Sequence, residues 1–272
     1  MSALVFDCDG VLADTERYGH LPAFNATFVE HGLPVRWSED DYGEKLAIGG
    51  GKERMASLFT DPQFVRAAGV PDDEEARAEL LAQWHRTKTA RFRALVAAGE
   101  IPARPGVARL VTEALADGWT VAVASTSAEE SVRAVLQHAV GTDTAARIPV
   151  FAGDVVPAKK PDPAIYDLVV QSLDLDRGDT LVVEDSRNGL RAAAGAGLPC
   201  LVTVNGYTRA ERFDEAVLVV SELGDPDRPA IEVLANRGRA RPAHHVTLAD
   251  ARACLTGPDQ TSTTDRPEGA PA

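Results

Sequence analysis

Cysteine is scarce in this 272-residue chain: Cys8, Cys200 and Cys254 are odd in number, far apart and in no Cys-x-x-Cys arrangement. That leaves neither a disulfide framework nor a structural zinc site, and it fits a reducing compartment. No apolar run approaches the ~18 residues of a membrane span, and with the first strand starting two residues after Met1 no signal peptide is expected. A cytoplasmic monomer is expected. Basic residues are outnumbered, 28 against 41 acidic, for a net charge of −13. Nucleic acid phosphates and anionic membranes are therefore disfavoured as partners unless a basic site is built locally. The basic run Arg237-Gly-Arg239-Ala-Arg241 reads as a solvated linker. Aromatics are few, at 6%, and Trp37, Trp84 and Trp119 read as packing residues. No internal repeat is present. The remaining composition, 44% hydrophobic and 25% charged, is that of a globular protein with one large domain or two modest ones.

The chain is organised around Ala3-Leu4-Val5-Phe6-Asp7-Cys8-Asp9-Gly10. An apolar strand carries Asp7 and Asp9 to a glycine turn. Residues two apart on extended backbone share a face, so both carboxylates project into one cleft while Cys8 points away into the core. An isolated pair of this kind is compatible with a solvated acidic turn as well as with metal binding or acid/base work, so its partners carry the argument.

After this strand, Asp14-Thr15-Glu16 opens a helix towards Gly32, Ser38 caps a segment through Leu46, Gly51 precedes a helix over 52–59, and Asp72 starts a long charged helix ending near Gly99. No strand is expected between 15 and 103. From there strand and helix alternate: helix 107–116, strand 120–124, helix 129–138, strand 150–152, helix 163–173, strand 180–183, helix 190–196, then strands 200–203 and 217–220. Alternating units with fully apolar strands imply an α/β fold, a doubly wound parallel sheet covered on both faces. Residues 1–14 and 104–223 form that core, and a helical domain, 15–103, is inserted after its first strand. Residues 224–272 are expected as a C-terminal extension with small elements at 231–235 and 246–255, disordered from about 256.

Open parallel sheets bind ligands at the carboxyl ends of their strands. Those ends bring together Asp7 and Asp9, then Ser125-Thr126-Ser127, then Lys159-Lys160-Pro161, then Glu184-Asp185-Ser186. Asp7, Asp185 and Glu184 offer the hard oxygens that Mg²⁺ prefers, and a cation is needed if these acids are to tolerate one another and a phosphate. Ser125 and Lys160 can donate to phosphoryl oxygens. Two acids two residues apart divide the labour, Asp7 as nucleophile forming an aspartyl phosphate and Asp9 as general acid and then base. Ser186 and Asn188 brace the metal loop.

Asp7-x-Asp9-Gly10, Ser125, Lys160-Pro161 and Glu184-Asp185 resemble the motifs of the haloacid dehalogenase superfamily, over residues 1 to about 223. The resemblance implies a Rossmann-like core, a mobile helical cap that closes over the substrate, and the Asp9 backbone carbonyl as a further metal ligand. Family dehalogenases and phosphonoacetaldehyde hydrolases lack an acid at the position of Asp9, so its presence points to phosphatases and sugar phosphate mutases.

In the cap, Gly49-Gly50-Gly51-Lys52-Glu53-Arg54 lets a loop approach a ligand closely, with Lys52 and Arg54 able to bind an anion beside a helix start. It is not a Walker loop, because Glu53 follows Lys52 and Leu46 stands where that pattern requires glycine. Together with Ala23-Phe24-Asn25, His85-x-x-Lys88-Thr89 and Gly206-Tyr207-Thr208-Arg209, the stretch is similar to the CbbY-type xylulose-1,5-bisphosphate phosphatases. That likeness implies that Glu16, Gly50, Gly51, Lys52, Arg54 and Thr126 bind substrate, with Glu16 and the glycine-lysine-arginine loop at the far end of a sugar bisphosphate. His20 is displaced by one residue from the histidine of related mutases and is given no catalytic role, while His85 and Lys88 are expected at the surface. The expected activity is Mg²⁺-dependent hydrolysis of a small phosphorylated sugar, foremost xylulose 1,5-bisphosphate to xylulose 5-phosphate. The rivals are a β-phosphoglucomutase-like mutase, a phosphoglycolate or general sugar phosphatase, and a silent binding module.

Overall fold

The structure is a computed structural model that describes residues 1–256; the expected disordered tail lies outside them. Seven strands, β1 (Ala3–Phe6), β2 (Thr120–Ser125), β3 (Val150–Ala152), β4 (Thr180–Glu184), β5 (Cys200–Thr203), β6 (Leu218–Val220) and β7 (Val233–Asn236), form one sheet in the order β3-β2-β1-β4-β5-β6-β7. All neighbours are parallel except β6 and β7. Alternation along β1 sends Leu4, Phe6 and then Cys8 into one core and Val5 into the other, as a sheet covered on both faces requires.

Between β1 and β2 the chain is helical: a π-helical turn (Glu16–His20), then α1 (Leu21–Glu30), α2 (Glu39–Lys45), α3 (Gly51–Ala56), α4 (Pro62–Ala67) and α5 (Glu74–Ala97). The expected helix from residue 14 is thus split. Pro22 has no N–H to close an α-helical bond to the preceding turn, and a wider turn takes its place. The short α4, capped by Asp61, was not foreseen. Farther on come α6 (Val107–Ala116), α7 (Glu129–Val140), α8 (Thr142–Ala145), α9 (Ala164–Ser172), α10 (Arg187–Gly195) and α11 (Leu248–Leu255). Leu110, Val132 and Cys254 place α6, α7 and α11 on one face of the sheet; Ile165 and Leu190 place α9 and α10 on the other.

The inserted helices have their own core, in which Trp37 meets Phe24 at 5.0 Å and Phe28 at 4.8 Å, both edge-on. Such pairs add about 0.5–1.5 kcal/mol each beyond their burial. Trp84 and Trp119 are buried too. The two crossings into the insertion are tied together: Asp14 N donates to Pro102 O and Arg104 N to Leu12 O, each at 3.0 Å. The basic run around residue 239 is not a solvated linker: Arg237 Nη1 donates to the carbonyls of Phe213 and Ala216, fastening the end of β7 to the sheet. Among the described residues no helix is long and apolar enough to cross a membrane.

Candidate active site

Register sets the first acid. Phe6 pairs with Val123 of β2 and Val183 of β4, and Asp7 N donates to Val183 O at 2.9 Å. Asp7 therefore leaves the sheet level with the ends of both neighbouring strands, where the strand order reverses direction and a crevice opens. Lys160 fills the junction. Its Nζ donates to Asp7 Oδ1 at 2.7 Å, Glu184 Oε1 at 2.7 Å and Ala124 O at 2.9 Å. Tyr166 of α9 lies beneath, its hydroxyl donating to the same Glu184 oxygen and its ring centroid 4.8 Å from Nζ.

Asp7, Glu184 and Asp185 are buried, and each offers an oxygen within 4.8 Å of the others. Burial, then Glu184 and Asp9, push the Asp7 carboxyl up to about 8 against the pull of Lys160. Burial, Glu184 and Asp7 push Asp185 well above the carboxylate range. Burial opposes the charge on Lys160, but Asp7 and Glu184 outweigh it and hold the amine above its ordinary value. Three crowded oxygen ligands with one lysine between them fit a hard divalent cation such as Mg²⁺, whose charge would let all three ionise. Asn205 Nδ2 holds Asp185 Oδ2 at 2.6 Å, and Gly10, at φ +76°, leaves the space: a Cβ there would lie 2.1 Å from that oxygen.

The Asp7 shift has a measurable sign. Its folded value near 8 lies above the ordinary 3.8, so the metal-free folded state holds an extra proton between those pH values and loses stability as pH rises through the window. Mg²⁺ should therefore raise the unfolding temperature more at about pH 8 than at about pH 6. Calorimetry in EDTA and in Mg²⁺ tests this, and equal gains at both pH values would contradict the assignment.

Asp9 is held differently. Oδ1 accepts from Thr15 Oγ1 at 2.7 Å and His20 Nε2 at 2.8 Å, and Oδ2 accepts from the Ser127 hydroxyl. Lys88 Nζ lies 2.7 Å from His20 Nδ1. An ammonium group only donates, so Nδ1 accepts and Nε2–H faces Asp9. Burial alone would raise Asp9, but the His20 ring beside it and the hydrogen bonds from His20, Ser127 and Thr15 hold it well below the usual range. Burial lowers Lys88 to about 8.

His20, given no catalytic role, is buried against Asp9, and Lys88, expected at the surface, is buried because its stem runs between Phe24 and Phe92, with Nζ 4.7 and 5.2 Å from their rings. His85 is only half-buried.

A cavity of about 520 Å³ opens over these groups and gathers most of the expected residues: Asp7, Asp9, Glu16, Gly50, Gly51, Arg54, Thr126, Lys160, Glu184 and Asp185. Ser125 is buried under its floor, where Oγ accepts from Ser127 N at 3.2 Å. Lys52 stands outside, exposed on an adjoining recess of about 220 Å³ with His85 and Lys159. At the far side Glu16 accepts from the Tyr42 hydroxyl and, at 3.4 Å, from Arg54 Nη1, which also donates to Tyr42 Oη at 2.9 Å. Burial opposes the Arg54 charge, but Tyr42 and Glu16 outweigh it and keep the guanidinium charged. Sequence reasoning missed Thr15, Tyr42, Tyr166 and Asn205, none of which carries a spacing signal; Ser127 was visible within Ser125-Thr126-Ser127 but given no role.

The profile of the haloacid dehalogenase-like hydrolases matches residues 1–197. A CBBY-like protein of Arabidopsis thaliana is 51% identical over 225 residues, 83% of this chain and 70% of that protein. Protein CbbY, plasmid, of Cupriavidus necator is 40% identical over 261 residues, 92% of this chain and 100% of that protein. A crystal structure of a mutant CbbY from Rhodobacter sphaeroides in complex with xylulose 1,5-bisphosphate superposes with a TM-score of 0.72 at 39% identity, covering 82% of this chain and 94% of that one.

Proposed function

The chain belongs to the haloacid dehalogenase-like hydrolases, and from that premise we propose that it is a Mg²⁺-dependent phosphatase. Its proposed substrate is a small sugar bisphosphate, foremost xylulose 1,5-bisphosphate, cleaved to xylulose 5-phosphate through a phosphorylated Asp7. The observation that carries this reading is Lys160, buried and bonded to both Asp7 and Glu184 at the point where the sheet order reverses, with Asp9 two residues away.

In the first half-reaction an Asp7 oxygen attacks phosphorus, the bond to the sugar oxygen breaks, and that oxygen takes a proton from Asp9. In the second, water attacks the aspartyl phosphate, Asp9 removes its proton, and the P–O bond to Asp7 breaks to release phosphate. Thr15, His20 and Ser127 keep Asp9 ionised without ligand, which suits the second half. A phosphate dianion arriving beside it raises its proton affinity for the first. Lys160 and Thr126 line the cavity where the transferred oxygens would lie, with the Ser125 hydroxyl just beneath them as a further donor. Asp7, Asp185 and the Asp9 carbonyl, with Glu184 behind them, would hold Mg²⁺, and the bound ion would supply the positive charge that lets a carboxylate approach a phosphoryl group.

Residues 15–103 act as the cap over a core of 1–14 and 104–223. Glu16 and Arg54 receive the distal part of the sugar, and the xylulose 1,5-bisphosphate complex of the Rhodobacter sphaeroides protein supports a bisphosphate as substrate. A mutase is the second reading, favoured by the His20–Lys88 pair on Asp9.

Two assays separate the readings: Mg²⁺-dependent phosphate release from xylulose 1,5-bisphosphate, ribulose 1,5-bisphosphate, glucose 1-phosphate and phosphoglycolate, and conversion of glucose 1-phosphate to its isomeric phosphate in the presence of a sugar bisphosphate. Selective release from the first is expected. Uniformly low release on all four would sink the substrate assignment, and conversion of glucose 1-phosphate activated by a sugar bisphosphate would establish the mutase.

A further inference from the structure

The turn Gly206-Tyr207-Thr208-Arg209 takes no part in the chemistry above, yet it touches both halves of the site. On the core side Asn205 binds Asp185 through Nδ2, and its Oδ1 accepts from the backbone N–H of Tyr207 at 2.8 Å and of Thr208 at 3.2 Å. The turn is thereby fixed to a carboxylate of the acidic cluster.

On the other side the Tyr207 ring reaches the inserted helices. It meets Tyr42 edge-on, with centroids 6.1 Å apart and planes at 78°, and the Arg17 guanidinium lies 5.6 Å from its centroid. Glycines stand on both sides of the contact: a Cβ on Gly43 would meet Tyr207 Cδ1 at an ordinary 3.4 Å, and one on Gly206 would lie 3.1 Å from Arg17 Nη2. Tyr42 is the residue whose hydroxyl binds Glu16 and receives Arg54.

We propose that Tyr207 is a positioning residue that couples the two halves of the site, setting Tyr42, and through it Glu16 and Arg54, against the Asn205–Asp185 pair. Grip on the distal group of the substrate depends on that contact although Tyr207 does not line the cavity. The inference rests on the reading of Glu16 and Arg54 as the distal subsite. The Tyr207 hydroxyl is buried beside the Arg17 guanidinium, whereas the contact with Tyr42 is made by the ring alone. The ring therefore carries the coupling to Tyr42, and phenylalanine should replace it.

The test compares the parent, Tyr207→Phe and Tyr207→Ala in Mg²⁺ on xylulose 1,5-bisphosphate and on p-nitrophenyl phosphate, which has no second anionic group. Tyr207→Ala should raise KM for the bisphosphate about tenfold with kcat within about threefold, leave KM for p-nitrophenyl phosphate within about threefold, and be rescued by Tyr207→Phe. In an Asp7→Asn background, which does not turn over, calorimetry should show the Kd for the bisphosphate rising by the same factor on Tyr207→Ala. An unchanged bisphosphate KM, equal losses on both substrates, or a Tyr207→Phe as impaired as Tyr207→Ala would overturn the coupling alone. A parent that hydrolyses p-nitrophenyl phosphate but ignores the bisphosphate would overturn the substrate reading and the coupling with it.

Discussion

Asp7→Asn is expected to release phosphate about 10⁴- to 10⁶-fold more slowly than the parent, the scale on which loss of a covalent nucleophile is felt. The amide has nearly the shape of the carboxylate and still accepts from Lys160, but its oxygen is too weak a nucleophile to displace a sugar alkoxide. The substitution also removes one of three crowded buried carboxylates while Lys160 keeps Glu184 at 2.7 Å. The variant should therefore fold, and in EDTA near pH 8 it should unfold at or above the parent's temperature, because the parent carries there a carboxyl that burial pushes up to about 8. Two measurements separate chemistry from folding: phosphate release at saturating Mg²⁺, and mass spectrometry of acid-quenched enzyme for covalent phosphate. Turnover within tenfold of the parent, or covalent phosphate on the variant, would remove Asp7 as the nucleophile.

The strand ends were legible because each polar set closes a local apolar run. The apolar stretch before Asp7 and the runs before Ser125 and Glu184 all read without reference to one another, and the convergence of their ends follows from the parallel order. Residues whose role depends on what another helix brings were not legible. Lys88 lies in a charged helix where nothing local distinguishes the lysine that faces His20 from those facing water, and its long stem lets it be buried among rings with its charge intact. Tyr42 follows a Ser38–Asp41 capping box, so its surroundings signal a helix start and not a contact with Glu16. Lys52 and Arg54 looked alike in the glycine loop, yet α3 turns Arg54 into the cavity and leaves Lys52 outside it. The edge strand β7 gave a weak signal because Val233 and Leu234 are exposed, 41% and 38%, and make no clean alternation.

Lys160→Met separates what the buried lysine does for the fold from what it does for the reaction. Its charge is shared between Asp7 and Glu184 at 2.7 Å each, and it lies almost wholly out of solvent. Removing it leaves three buried acids without their nearest cation, a loss of about 3–5 kcal/mol in the metal-free protein. Lower pH should restore part of this, because Asp7 and its neighbours then take up protons in the folded state. Turnover should fall about 10²- to 10³-fold even in saturating Mg²⁺, since the charged donor to the transferred phosphoryl group is gone. The double variant Lys160→Met, Glu184→Gln removes one charge of each sign. It should recover much of the lost unfolding temperature, with Tyr166 still donating to the amide oxygen, and recover none of the activity. A double variant no more stable than the single one would mean that the Lys160–Glu184 pair is not what the fold depends on; a single variant as active as the parent would mean that Lys160 does not serve the phosphoryl group.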